Sequence, residues 1–197
     1  MIEPLSEQLA DKWIWWRIAE RHWKNPLDAG FAQTHGGRWN PPNSFATLYL
    51  NEDLAAARRN LRRFIAKWPY EPEDLRPDRA PVLVGASLPQ RQTVCDAHTP
   101  TGLRALGLPQ SYPVNAAGKL IVHARCQALG RQVKSLGLRG VLCRSAQSKH
   151  GTGRELAWFP ATARSHAKHV KTLAFDDWYW GEKVARRAQQ FARRSQP

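Results

Sequence analysis

Acidic residues, cysteines and long apolar runs are all scarce in this chain of 197 residues. Asp and Glu number 16 against 30 Lys and Arg, which leaves a net charge of +14. Such a surplus indicates a polyanionic partner, either nucleic acid or an acidic protein, or else solvated helix faces. No apolar run approaches the ~18 residues of a membrane span, and residues 1–7 lack the order of a signal peptide. We therefore expect a cytoplasmic protein without a membrane partner.

The residue types that form disulfides or bind metals are few and poorly placed. Cys95, Cys126 and Cys143 are odd in number and widely spaced, so they indicate neither a disulfide framework nor a zinc site. His166 and His169 lie three residues apart without an evident third ligand, and no metal site is predicted. Nine tryptophans are many for this length; we interpret them mainly as core residues, with nucleobase stacking as the alternative.

Strand and helix patterns succeed one another irregularly, which predicts an α+β fold. Apolar and β-branched runs predict strands over residues 12–19, 46–50, 81–88, 92–96, 140–143 and 155–159. Apolar spacings of three and four predict helices over residues 54–68, 101–107 and 115–136. The remaining polar segments predict a long loop over residues 20–45, a linker over 69–80, a loop over 145–153 and a basic helix or tail over 181–197.

The most specific local motif is Gly36-Gly37-Arg38-Trp39-Asn40. Its two glycines permit a positive φ and allow a ligand to approach the backbone closely. The planar guanidinium of Arg38 suits a phosphate or a carboxylate. Taken alone, the string is equally compatible with an ordinary turn.

Several segments, in order along the chain, together resemble the RES-domain family. They are Trp16-Arg17, residues 36–42, Thr47-Leu48-Tyr49-Leu50 with the helix after it, residues 94–96 with 103–108, residues 126–130, residues 140–146 and residues 155–160. The resemblance covers about residues 12–165. Members of this family are toxins of toxin–antitoxin pairs, named after Arg, Glu and Ser positions.

The resemblance implies a fold like that of ADP-ribosyltransferases, with mixed small sheets and packed helices. It implies a single domain over residues 1–180, followed by the basic segment 181–197. It also implies an enzyme that consumes NAD, splitting the nicotinamide–ribose bond and passing ADP-ribose to water, phosphate or a protein. The partner it implies is an Xre-like helix-turn-helix antitoxin that blocks the pocket.

The resemblance also assigns site residues. Because the bond breaks through an oxocarbenium-like state, the site needs anion-binding groups for the pyrophosphate and negative charge near the ribose. The predicted NAD-binding residues are Arg17, Gly37, Arg38, Trp39, Asn40 and Tyr49. The predicted catalytic set is Arg17, Tyr49, Asn60 and Ser145. From the residues alone, Tyr49 can also be interpreted as a half-buried strand aromatic, and Ser145 equally well as a loop hydroxyl.

Asn60 departs from the family pattern, which has a glutamate about eleven residues after the strand tyrosine. Asparagine can hydrogen-bond a ribose hydroxyl but carries no charge to stabilise a cation, although Glu155 or Glu52 could supply a carboxylate from elsewhere. Arg144 also stands where the family has proline. Two functions therefore stay open: an NAD-consuming enzyme, or a catalytically degenerate module that binds a nucleotide, nucleic acid or acidic protein. The variant Asn60→Glu is expected to raise NAD turnover if the pocket is otherwise intact.

Overall fold

In a computed structural model that describes residues 3–65, 69, 74–75, 78–147 and 152–181, the chain forms one mixed eight-stranded sheet accompanied by helices. The strands are β1 Ser6–Gln8, β2 Trp15–Ala19, β3 Leu48–Asn51, β4 Val82–Ser87, β5 Thr93–Ala97, β6 Gly140–Arg144, β7 Arg154–Trp158 and β8 Lys168–Leu173. Their order is β1-β5-β6-β7-β3-β2-β4-β8, in which only β5 and β6 run parallel among these described strands. The prediction of an α+β fold is confirmed.

Four α-helices accompany the sheet in the described part of the chain. They are α1 Gly30–His35, α2 Leu54–Phe64, α3 Pro100–Ala105 and α4 His123–Ser135, and a π-helical turn follows at Asp176–Trp180. At the start of α2, Oδ1 of Asp53 accepts a hydrogen bond from the backbone N–H of Ala56 at 2.6 Å, as expected of an N-terminal cap. None of these described helices is long and apolar enough to cross a membrane.

Alternation along the central strands creates two separate apolar layers. Leu48 and Leu50 of β3 and Leu156 of β7 point to one face and are at most 2% exposed. The intervening residues point to the other face, where Ala157 and Cys143 pack beneath α4. Five of the nine tryptophans belong to the buried core: Trp15, Trp16, Trp39, Trp158 and Trp178. Their interpretation as mainly core residues is confirmed.

The structure corrects two of the predicted boundaries. The predicted loop 20–45 contains α1, and α4 begins at His123 instead of near residue 115. The delay has a local cause, since Oδ1 of Asn115 accepts hydrogen bonds from the backbone N–H groups of Ala117 and Lys119, each at 3.0 Å. That side chain stabilises a turn in place of a first helical turn.

Some predictions fall partly or wholly outside the described residues. These are the end of the first predicted helix at residues 66–68, half of the linker 69–80, the middle of the loop 145–153 and the basic segment 182–197. Two strands were not predicted, β1 and β8. The latter is a polar edge strand, of which five residues are exposed, so it lacks an apolar signal.

Candidate functional site

A cavity of about 570 Å³ lies where the sheet is covered by α1, α2 and α4. Its polar lining comes from β2, β3, β7, α2 and the loop after α1, and includes Arg17, Arg38, Tyr49, Asn51, Asn60 and Glu155. Four of the residues predicted for the site, Arg17, Arg38, Tyr49 and Asn60, therefore meet at one cavity although they come from different elements. Gly37 and Trp39 line it too.

The strand register explains why the polar groups share the floor of the cavity. Asn51 of β3 is paired with Glu155 of β7, and Glu155 is paired with Cys143 of β6. Paired residues on adjacent antiparallel strands project from the same face, so these three side chains form one row. Tyr49 and Ala157 form the next row, two residues along each strand.

The glycines after α1 shape the loop that forms one wall. Gly36 ends the helix with φ of 74° and donates its N–H to the carbonyl oxygen of Ala32 at 2.8 Å. A Cβ on Gly37 would lie 2.4 Å from the hydroxyl oxygen of Tyr49. The close approach expected at this motif is thus made by a tyrosine ring of the same chain.

Tyr49 holds this loop in place through its hydroxyl. The hydroxyl accepts a hydrogen bond from the backbone N–H of Trp39 at 2.9 Å and donates to Oδ1 of Asn40 at 2.8 Å. Asn40 in turn donates its Nδ2 to the carbonyl oxygen of Ala32 at 2.6 Å. Burial raises the pKa of Tyr49 well above its usual value, so the phenol stays protonated. Asn40 is therefore fully buried, and its hydrogen bonds stabilise the loop that forms this wall of the cavity.

Two guanidinium groups place positive charge on the cavity. Arg38 is 9% exposed and donates Nη1 to the carbonyl oxygen of Ile121 at 3.1 Å. Arg17 donates Nη1 to the carbonyl oxygen of Asp28 at 3.2 Å and lies 5.7 Å from the ring centroid of Trp23. Burial lowers the pKa of Arg17 to about 10, which leaves it charged at neutral pH. A guanidinium has five N–H donors, so one backbone contact leaves it able to bind an anion as well.

Asn60 and Glu155 are in direct contact. Nδ2 of Asn60 donates to Oε1 of Glu155 at 2.9 Å and to Oδ1 of Asn51 at 2.5 Å. Of the two carboxylates that the sequence leaves open, Glu155 lines the cavity, whereas Glu52 is held in an ion pair by Arg154. No local sequence signal places Glu155 there, because its position depends on the pairing of β7 with β3.

Ser145 lies just after β6 and is not among the described residues that line the cavity. It is fully buried, and its Oγ accepts a hydrogen bond from the backbone N–H of Gln147 at 3.2 Å. Beside it, Arg144 donates to the carbonyl oxygens of His98 and Gln110, each at 2.7 Å. Arginine at this position thus fastens two loops to the strand end.

Two residues of α4 that were not predicted for the site also line the cavity. His123 begins the helix, and Gln127 donates Nε2 to the carbonyl oxygen of Gly37 at 2.8 Å. Gln127 lies in residues 126–130, a segment that resembles the family. This resemblance was the sequence signal from which its place in the site could have been predicted. Gly130, one turn further, lets the helix approach the carbonyl oxygen of Trp39.

The described residues contain one cluster of metal-ligating types, Glu7, Asp96 and His98. Nε2 of His98 lies 2.9 Å from Oε1 of Glu7. Asp96 accepts hydrogen bonds from the backbone N–H groups of His98 and Thr99, each at 2.9 Å, and from the Thr99 hydroxyl. These contacts are those of a turn that begins α3, and they give no separate indication of a metal.

The molecule is thus an α+β domain with a cavity that combines two guanidinium groups and a carboxylate. The family model described as the RES domain matches residues 14–179, and the chain belongs to that family. Its fold is similar to a chain in the crystal structure of the M. tuberculosis MbcT–MbcA toxin–antitoxin complex, with a TM-score of 0.66 and 22% sequence identity over 90% of this chain and 91% of that chain. The comparison with curated proteins gives no significant match.

Proposed function

We propose that this chain is a RES-type toxin that consumes NAD, releasing nicotinamide and transferring ADP-ribose to water, phosphate or a protein. The observation that carries the proposal is the convergence of Arg17, Arg38, Tyr49 and Asn60 on one cavity. These residues were assigned from the family resemblance, and they come from β2, β3, α2 and the loop after α1.

The charges of the cavity suit this substrate. Arg17 and Arg38 offer planar donors to a pyrophosphate, which binds guanidinium groups through paired hydrogen bonds. Tyr49, whose hydroxyl supports the wall, packs near the ribose. Cleavage of the nicotinamide–ribose bond leaves positive charge on the sugar, so a carboxylate on the opposite side lowers the barrier. The guanidinium groups that would bind the pyrophosphate and the carboxylate that would stabilise the sugar cation thus lie on different elements.

An antitoxin is the proposed protein partner. The structure with the similar fold is that of a toxin–antitoxin complex, and the family resemblance implies an Xre-like protein that covers the pocket. This proposal also places the chain in the cytoplasm, where NAD is abundant. The net charge of +14 supports an acidic surface on that partner, or a nucleic-acid contact.

The test is nicotinamide release from NAD by the purified protein, with and without phosphate. We expect release by the wild type and its loss in Arg38→Ala, with NAD affinity lowered about 10–100-fold because a charged hydrogen-bonding group is removed. Arg131→Ala is the matched control, since Arg131 is exposed on α4. Release that persists in Arg38→Ala at wild-type rate would contradict the assignment of this cavity.

A second candidate function is favoured by Asn60 itself. A neutral amide at the position of the family's glutamate is what a binding module that has lost catalysis would carry. In that case calorimetry detects NAD or ADP-ribose binding while no nicotinamide is released. A strongly salt-dependent affinity for nucleic acid, without NAD binding, would instead assign the function to the basic surface.

A further inference from the structure

Glu155 is the only Asp or Glu among the described residues that line the cavity. It is half-buried on β7, opposite Asn51 in the strand register. We infer that Glu155 supplies the negative charge for NAD cleavage and that Asn60 positions it. This inference rests on the proposed function and assigns the carboxylate of the same site.

Asn60 holds the carboxylate through a single amide nitrogen. One of its N–H groups donates to Oε1 of Glu155 at 2.9 Å, and the other donates to Oδ1 of Asn51 at 2.5 Å. Asn51 is fixed in turn, because its Nδ2 donates to the carbonyl oxygen of Trp16 at 3.0 Å. An N–H donor favours the ionised form of a carboxylate and sets its orientation. Asn60 is therefore a positioning residue that acts through Glu155.

Other carboxylates in the segments that border the cavity are engaged elsewhere. Asp28 accepts a backbone N–H in the turn before α1, and Asp53 accepts one at the start of α2. Glu52 accepts hydrogen bonds from the guanidinium of Arg154, the longer of them at 2.7 Å from Nε. Each of these groups has a structural role, whereas Glu155 faces the open volume.

The chemistry needs one negative charge beside the ribose. The bond between C1′ and the nicotinamide nitrogen breaks, its electron pair leaves with that nitrogen, and positive charge develops on C1′ and the ring oxygen. Glu155 stabilises this cation electrostatically. Water then forms the new bond to C1′ and releases one proton to solvent, so the products are ADP-ribose, nicotinamide and H⁺.

The first test is Glu155→Gln, which removes the charge and preserves the shape. We expect kcat for nicotinamide release to fall about 10²–10³-fold, in line with loss of one group that stabilises transition-state charge. The Kd for NAD, measured by calorimetry, is expected to stay within about threefold, because the lost interaction belongs to the transition state. Glu52→Gln is the matched control and should retain kcat within about threefold, since Glu52 does not line the cavity and the amide oxygen of glutamine can still accept a hydrogen bond from Arg154.

The second test moves the carboxylate across the same hydrogen bond. In the double variant Asn60→Glu/Glu155→Gln the amide lies on β7 and the charge on α2, so we expect at least about tenfold more release than in Glu155→Gln alone. A Glu155 that only supported the fold would leave release equal in the folded wild type and in folded Glu155→Gln, and there would be no loss for Asn60→Glu to rescue. The double variant also keeps the inference testable if Glu155→Gln fails to fold, because a folded double variant without release would overturn it.

The outcomes separate the two proposals. Suppose the wild type releases nicotinamide and Glu155→Gln is as active as Glu52→Gln. The inference is then overturned, and the proposed function stands. A wild type that binds NAD but releases no nicotinamide under any acceptor condition overturns both.

Discussion

Gly130 lies where α4 crosses the loop that carries Arg38 and Trp39, and Gly130→Ala tests this packing directly. An alanine Cβ would lie 1.8 Å from the carbonyl oxygen of Trp39, whereas ordinary contacts begin near 3.4 Å. The obstacle is backbone, so no rotamer change can relieve it. The helix and the loop must separate by more than 1 Å, which also strains the hydrogen bond from Gln127 to Gly37.

The magnitude follows from opposing contributions. Overpacking of this kind costs about 1–3 kcal/mol, and a weakened hydrogen bond adds about 1 kcal/mol. Alanine in a helix interior regains about 1 kcal/mol relative to glycine. We expect Gly130→Ala to lower the free energy of unfolding by about 1–3 kcal/mol, measured by urea titration with tryptophan fluorescence.

Ala128→Gly is the control for Gly130→Ala. Ala128 is exposed on the same helix, so its replacement by glycine reports the difference in helix propensity alone. It should lower the free energy of unfolding by about 1 kcal/mol. If Gly130→Ala instead stabilises the protein by about the amount that Ala128→Gly loses, the close approach of α4 to the loop is refuted. Nicotinamide release should fall with stability, because the same contact shapes one wall of the cavity.

Three further predictions follow from individual contacts. The contact between Asn60 and Glu155 reverses the expectation from sequence alone: Asn60→Glu should not raise NAD turnover, because it sets a second carboxylate against Glu155 and the two like charges repel. Steady-state release at pH 7 checks this, and a rise above wild type would contradict the reasoning from this contact. Asn60→Ala should lower kcat by about tenfold with little change in NAD affinity, since orientation of Glu155 is lost while its charge remains; equal losses in kcat and affinity would point to a direct contact with NAD. Burial alone would raise the pKa of Asp96, but hydrogen bonds from Thr99 and His98 and the charge of His98 outweigh it and hold that pKa below the usual value. The stabilisation by this carboxylate is therefore present at neutral pH and is lost as the pH falls through its lowered pKa. Urea titrations should show Asp96→Asn less stable than wild type by about 1 kcal/mol at pH 7, with the difference shrinking as the pH falls below the usual range of an Asp pKa, and a constant difference would refute the role of this charge in the turn.

Much of the fold was predictable because its signals are local. The strands β4, β6 and β7 are apolar runs between turn residues, and α2 has apolar positions three and four apart. The start of α4 was not predictable from spacing, because Asn115 stabilises a turn within an apparently helical segment. The edge strand β8 is mostly exposed and mixes polar and apolar residues without strict alternation, so only its pairing with β4 reveals it.

The candidate site likewise has one part that was predictable from sequence and one part that was not. Arg38 and Tyr49 stand in recognisable motifs, and the family resemblance assigns both of them to one pocket. The presence of Glu155 in the cavity depends on which residue of β3 it pairs with, and a shift of one residue would turn it into the apolar layer beneath the sheet. Such a register is a property of the assembled sheet, so no motif within residues 140–160 could have supplied it.

The hydrogen bond between Asn60 and Glu155 joins positions 95 residues apart in the chain. Along the sequence nothing connects them, because Asn60 stands where the family pattern has a glutamate and Glu155 begins a separate strand motif. Inside the folded protein they are neighbours, and the cavity experiences only the sum of their charges. A charge that is missing at one position of the sequence can therefore be present at its neighbour in the fold, and the charge of this cavity follows from the pair and not from Asn60 alone.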